Sequence, residues 1–198
     1  MGHYYLVAQL PHLAFGQDPP MTPEAFTELA KSQVDAKDAA LLDLVNLDPA
    51  PPGLSGEDIP SFAENFPASG SIFIDKWREW ERVLRLNLAS QRAFKLKREA
   101  PFEDVPSDPF GAVSAAAKAV AGAETPLEGE IFLDRARWNA IEELQGSDIF
   151  STPAILAYLL KLKLLERNAM FQQTEKGFAE YKSLYASIAG SNSAGETK

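Results

Sequence analysis

The chain has 198 residues, enough to bury a real core in one domain or a tight pair, and its 45% hydrophobic and 24% charged residues are ordinary for a soluble globular protein. It has no cysteine, which excludes disulfides and thiolate metal sites and favours a reducing compartment. The net charge of −9 argues against general nucleic-acid binding, but it is unevenly spread: residues 72–98 carry eight bases and three acids, whereas residues 1–71 carry ten acids and two bases.

The opening residues lack a basic stretch and a small-residue cleavage site, so they do not read as a signal peptide. Tyr4 to Leu10 is apolar and short, ending at Pro11, and reads as a buried extended arm in the absence of a second strand signal. Pro19-Pro20 marks a loop. Thr22-Pro23-Glu24 predicts a helix running to about Ser32, with Thr22 as N-cap and Pro23 in the first turn. Asp35 to Val45 is a second short helix, with Leu41, Leu42 and Val45 on one side. Asn46 to Gly70, with five prolines, is a long loop expected to pack through Ile59, Phe62 and Phe66.

Ile72 to about Arg98 contains neither Pro nor Gly and predicts one long helix, roughly 40 Å at about 1.5 Å per residue. Phe73, Trp77, Trp80, Leu84 and Leu88 share one stripe of it, which reads first as core and otherwise as an anchor for a partner. Ala100 to Pro109 breaks the helix, and Ala112 to Ala121 is an alanine-rich helix. Thr125-Pro126-Leu127-Glu128 is a capping box that opens a helix to about Gln145, stopped by Gly146. Ser151-Thr152-Pro153 opens another, apolar nearly all round from Ile155 to Leu165 and therefore central. Gly177 weakens the join to a last amphipathic stretch through Phe178, Tyr181, Leu184 and Ile188, and residues 191–198 read as a disordered polar tail.

Two stretches echo each other. Phe73-Ile74-Asp75-Lys76-Trp77-Arg78 is matched by Phe132-Leu133-Asp134-Arg135-Ala136-Arg137, and Leu88 to Leu96 by Leu156 to Leu164, in the same order. The expected fold is therefore all-α, a helical bundle holding two imperfect repeats of a helix pair within a single domain over 1–190, with a first unit at 71–99 and a second at 125–189.

No phosphate-binding loop, dinucleotide fingerprint, H-E-x-x-H or G-x-S-x-G motif occurs. His3 and His12 lack an acid cluster nearby and read as solvated or capping a backbone group. Glu142 and Glu143 are adjacent, so they point about 100° apart and mark a wet face more readily than a carboxylate pair. Asp75 and Asp134 recur in the repeated unit, each followed by a base, which suggests local salt bridging or capping. No catalytic, cofactor-binding or metal-binding residue is assigned. The sharpest surface signal is the row Arg78, Arg82, Arg85 and Arg92 on one face of the long helix. It reads as a solvated face, as a docking ridge that grips acids with planar guanidinium forks, or as the internal partner of Asp35, Asp38 and Asp43.

Thr125-Pro-Leu-Glu-Gly-Glu-Ile-Phe-Leu-Asp-Arg-Ala-Arg-Trp-Asn resembles the P-L-E…L-D-R-x-Y pattern of the C or d subunit of V/A-type ATPases, and Asn87-Leu88 through Arg92-Ala93 and Leu96 is similar to that family's N-L…R-A-x-x-L helix. Tyr4 to Pro11 resembles the opening of a smaller bacterial family of uncharacterised proteins encoded beside V-type ATPase subunits, and that likeness covers most of the chain. The resemblance implies a noncatalytic, all-helical part of the central stalk, with V-type ATPase subunits of the rotor ring or central shaft as partners, no nucleic acid and no direct membrane insertion. It implies a cytoplasmic protein, peripheral to the membrane through the ATPase. The positions carried over are Trp80, Arg85, Asn87, Arg92 and Ala93 in the first unit, and Pro126, Leu127, Glu128, Leu133, Asp134 and Arg135 in the second. The larger subunit has three repeats where this chain has about two, and Leu160 stands where the second copy's arginine would be. The alternative is a stand-alone helical adaptor with an unrelated partner.

Overall fold

The structure, a computed structural model, describes residues 3–48, 68–99 and 112–193, with the side chains of the last segment described as far as residue 172. The predicted contacts of Ile59, Phe62 and Phe66 and the break at Ala100 to Pro109 lie outside the described residues. The class is all-α. Seven helices are present among the described residues: α1 Tyr4–Val7, α2 Pro23–Lys31, α3 Ala36–Leu44, α4 Ile72–Lys95, α5 Ala112–Gly122, α6 Pro126–Gln145 and α7 Thr152–Ser193.

Local chemistry sets most of the boundaries. The Thr22 hydroxyl accepts from Ala25 N at 3.2 Å and the Asp35 carboxylate from Asp38 N at 2.9 Å, which opens α2 and α3 where sequence placed them. At α6 the Thr125 hydroxyl accepts from Glu128 N at 3.1 Å, and the Glu128 carboxylate reaches back to Glu124 N at 2.8 Å, one residue before the cap itself. Thr125→Ala is expected to lower unfolding free energy by about 1 kcal/mol, read as an earlier midpoint in urea. Gly146, at φ 72°, ends α6 in the left-handed region open to glycine.

Three boundaries differ from expectation. The opening segment forms one helical turn where an extended arm was predicted: the turn buries Leu6 and leaves Tyr4 and Tyr5 outside, with the Tyr4 ring 4.1 Å from that of Phe150. Helix α4 stops at Lys95 rather than Arg98. Lys97 turns into the left-handed region at φ 52°, and Lys97 N and Arg98 N donate to Phe94 O and Ala93 O, the paired bonds of a Schellman close. Helix α7 continues unbroken through Gly177 to Ser193, 42 residues and so about 63 Å. One glycine costs a helix about 1 kcal/mol relative to alanine, too little to stop a helix already propagating on both sides. The expected polar tail thus begins as helix, and residues 194–198 lie outside the described residues.

Successive helices α4, α5, α6 and α7 pack on one another in chain order, and α7 also touches α2, α3 and α4. This central place follows from its composition, since Ala154 to Ala157, Leu159, Leu160, Leu162, Leu164 and Leu165 are all buried. The larger core joins α1, α2 and α3 to Phe73, Ile74 and Trp77 of α4, Trp138 and Ile141 of α6, and the apolar run of α7. A smaller one joins Val83, Leu84 and Leu88 to Val113 and Ala117 of α5 and Leu133 of α6, and half-buried Trp80 packs against both.

The echoed sequences take different structural settings. In the first copy both segments ride on the single helix α4; in the second, one lies on α6 and the other on α7, across the Gly146 break. Phe73 is buried, whereas its counterpart Phe132 is 39% exposed. Nothing between Arg78 and Leu88 interrupts the helix, whereas Gly146 and the Ser151-Thr152-Pro153 start divide the second copy.

Candidate functional site

The arginine row sits on α4 with its members in different states. Arg78 is half-buried. Arg82 forks onto Glu79 at 2.7 and 2.6 Å, and that hydrogen bonding holds the Glu79 carboxyl below its ordinary range. Arg85 lies 3.0 Å from Asp48 and 3.4 Å from Glu81. Arg92 is exposed and borders a shallow groove with Val120, Pro126, Gly129 and Glu130.

The internal partners expected for this row are engaged elsewhere. Asp35 caps α3, Asp43 pairs with Lys31 at 2.5 Å, and Asp38 accepts from the Thr152 hydroxyl at 3.0 Å. Asp48 supplies the acid from the N-terminal third instead. It leaves α3 on the side facing α4, where the Asn46 carbonyl also receives the Trp77 indole N–H at 2.9 Å.

Beneath the row lies a set of buried charges that links three helices. Glu81 is 0% exposed because it falls on the stripe of Trp77, Leu84 and Leu88, four residues after the first and three before the second. Arg137 of α6 meets it with a two-pronged grip, Nε to Oε2 at 3.1 Å and Nη2 to Oε1 at 2.8 Å. Arg137 Nη1 also donates to Asp134 at 3.1 Å, and Asp134, likewise 0% exposed, receives Arg167 of α7. Arg167 extends to Glu130 at 3.7 Å. Burial lowers the Arg167 pKa while Glu130 and Glu81 oppose that shift; a guanidinium starts so high that it stays charged. Charges this deep persist only when paired on several sides.

His3 forms a second polar contact, at the far end. Its Nε2 lies 3.0 Å from Asp38 and 3.4 Å from the Thr152 hydroxyl, and its backbone N–H donates to Phe150 O at 2.8 Å. The ring thus pins the opening turn to α3 and α7, where sequence suggested solvation or a backbone cap. A hydrolytic relay places acid and hydroxyl on opposite ring nitrogens, whereas here one nitrogen meets both and the hydroxyl donates to the acid. Glu142 accepts from the Trp138 indole at 2.9 Å and Lys161 at 3.2 Å, which gives it a tethering role between α6 and α7. Among the described residues no group of three or more His, Asp or Glu side chains gathers as a metal site.

The positions carried over by resemblance divide between packing and charge. Trp80 stacks on Trp77 with centroids 5.6 Å apart, and Asn87 donates to Val83 O at 2.9 Å. Leu133 is buried, and the Arg135 guanidinium lies 3.9 Å above the Phe15 ring. Arg85 from the first stretch and Asp134 from the second join one network through Glu81 and Arg137. Glu81, Arg137 and Arg167 were not singled out from sequence. Their signal was a charge embedded in an apolar stripe at helical spacing: Glu81 among Trp77, Leu84 and Leu88, and Arg137 midway between Leu133 and Ile141.

The fold and site define a helical protein whose long helices are cross-linked by buried ion pairs beneath a basic face. No family model, curated protein or solved structure matches the chain.

Proposed function

We propose that the chain is a noncatalytic subunit or accessory factor of a bacterial V-type ATPase, docking at the central stalk or rotor through protein–protein contact. The observation that carries this reading is the meeting of the two stretches that resemble the stalk subunit: Arg85 and Asp134, remote in sequence, share the Glu81–Arg137 network. A part that sits on a rotor must transmit torque without yielding. Multidentate ion pairs between α4, α6 and α7, set in a closely packed core, resist sliding of one helix along another. Among the described residues no helix is long and apolar enough to cross a membrane, which accords with attachment through other subunits. In this reading Arg78, Arg82, Arg85 and Arg92 form the polar side of the contact.

The test is co-purification from the native bacterium. Tagged protein recovered from mildly solubilised membranes is expected to carry nucleotide-binding and shaft subunits of the ATPase in fixed proportion. Recovery of none of them, from membranes whose ATPase remains assembled and active, overturns the proposal; a different partner in fixed proportion would point to a stand-alone adaptor.

A further inference from the structure

We propose that the C-terminal half of α7 is a self-association helix, which pairs antiparallel with the same segment of a second copy of this chain. The backbone carries that half past the neighbouring helices. Lys95 Nζ at the end of α4 donates to Ala121 O at the end of α5, and Arg92, Val120 and Pro126 border one groove, so α4 and α5 finish where α6 begins. Helix α7 runs antiparallel to α6, since Lys161 meets Glu142 and Arg167 meets Asp134. Asp134 is eight residues from Pro126, so α7 draws level with the start of α6 about eight residues past Arg167, near Glu175. The remaining turns to Ser193, roughly 27 Å of helix, run past the ends of these three helices.

The sequence changes character at the same place. From Ile155 to Leu165 α7 is apolar nearly all round, whereas 173–193 is apolar along one stripe. Phe171, Phe178 and Tyr185 recur every seven residues, and Thr174, Tyr181 and Ile188 follow them by three, the alternating spacing of a helix that meets a single partner helix. Gln173, Lys176, Glu180, Ser183 and Ser187 take the opposite side. Residues 173–193 hold two acids and two bases, so the chain's net charge of −9 is not gathered there.

The flanking charges select a second copy and its direction. Glu175 and Lys182 stand seven residues apart on one flank of the stripe. When two copies run antiparallel this flank faces itself, and one register sets Glu175 of each copy opposite Lys182 of the other. The same register sets Phe178 opposite Tyr181, Thr174 opposite Tyr185 and Phe171 opposite Ile188, and on the other flank it sets Leu184 opposite Gly177, which has no side chain to obstruct it. Sliding one copy by a heptad sets Glu175 against Glu175 in one direction and Lys182 against Lys182 in the other, so both neighbouring registers are penalised. Parallel pairing sets Lys182 opposite Gly177 and Leu184 opposite Ala189, and brings no opposite charges together. The contact is short, below the area of a standard interface, so the dimer is expected to be weak, with a Kd on the order of 10–100 μM.

The test is sedimentation equilibrium of the full chain over concentrations that span this range, where a reversible monomer–dimer equilibrium is expected. Either Glu175→Lys or Lys182→Glu turns both symmetric ion pairs into like-charge pairs, and is expected to weaken dimerisation about five- to thirtyfold. Mixing the two single variants sets opposite charges across both contacts again, so the mixture should associate as tightly as the unaltered chain. The double variant, Glu175→Lys with Lys182→Glu, should do the same. The proposal is overturned if the unaltered chain stays monomeric up to about 1 mM, if the single variants dimerise as well as it does, or if neither the mixture nor the double variant regains the loss. The pairing needs no ATPase subunit, so its failure leaves the stalk-docking reading untouched.

Discussion

Replacing Arg137 with methionine is expected to lower the unfolding free energy by about 3–5 kcal/mol, because it removes one half of a buried pair and strands the other. Glu81, at 0% exposure, would keep only the contact from Arg85 at 3.4 Å, and Asp134 would keep Arg167. An uncompensated carboxylate in that position must either draw in water or take up a proton, and both disturb the seam where α4, α6 and α7 meet. The paired change Glu81→Met with Arg137→Met removes both charges and fills similar volume, so it should recover most of the loss, to within about 1–2 kcal/mol of the original. Chemical denaturation of the two single variants and the double variant measures this directly. A loss below about 1 kcal/mol for Arg137→Met would show that the network is not what holds these helices in register.

Trp77→Ala should cost a similar amount, about 3–5 kcal/mol, for a different reason. The side chain is 2% exposed, lies in the larger core with Phe73 and Ile74, and stacks on Trp80 with rings 13° from parallel. Its truncation leaves a cavity lined by residues of several helices, and the Asn46 carbonyl loses the indole N–H that it receives at 2.9 Å. Trp80→Ala should cost roughly half as much, since Trp80 is only half-buried and the wound opens toward solvent. Thermal unfolding followed by circular dichroism should separate the two, at about 2–4 °C for each kcal/mol in a protein of this size. Equal shifts for the two tryptophans would contradict the assignment of Trp77 to the core and Trp80 to its margin.

The helices were legible because their signals are local. Thr22-Pro23, the Thr125 to Glu128 box and Gly146 each act on backbone groups within a few residues, so α2 and α6 begin or end as read. The opening turn was misread because a short apolar run fits either conformation; the burial of Leu6 and the His3 contacts with α3 and α7 decide it from outside the segment. The echoed stretches are a different case. The first copy rides on one helix and the second on two, across the Gly146 stop that the sequence itself marks.

The arginine row was visible as a pattern on one face of α4, yet its partners were not. Asp48 is one of ten acids in the first 71 residues, and nothing in the sequence sets it apart from Asp35, Asp38 and Asp43 as a partner of the row. Asp35 instead accepts the N–H of Asp38 and is held below its ordinary range by that bond, while Asp43 is taken by Lys31 across the α2–α3 hairpin. Local geometry settles such competitions only after the chain has folded.

From the amino acids alone came the all-helical class, the central place of the apolar segment at Ile155 to Leu165, the core role of Trp77 and the basic face of α4. These follow from spacing along a helix, which any one segment carries within itself. The pairing of Glu81 with Arg137, 56 residues apart, and of Asp134 with Arg167, 33 residues apart, came only with the tertiary structure. A charge set in an apolar stripe, as Glu81 and Arg137 are, names no partner by itself; it is the closing of α4, α6 and α7 around a shared core that removes the water and makes each the other's required partner.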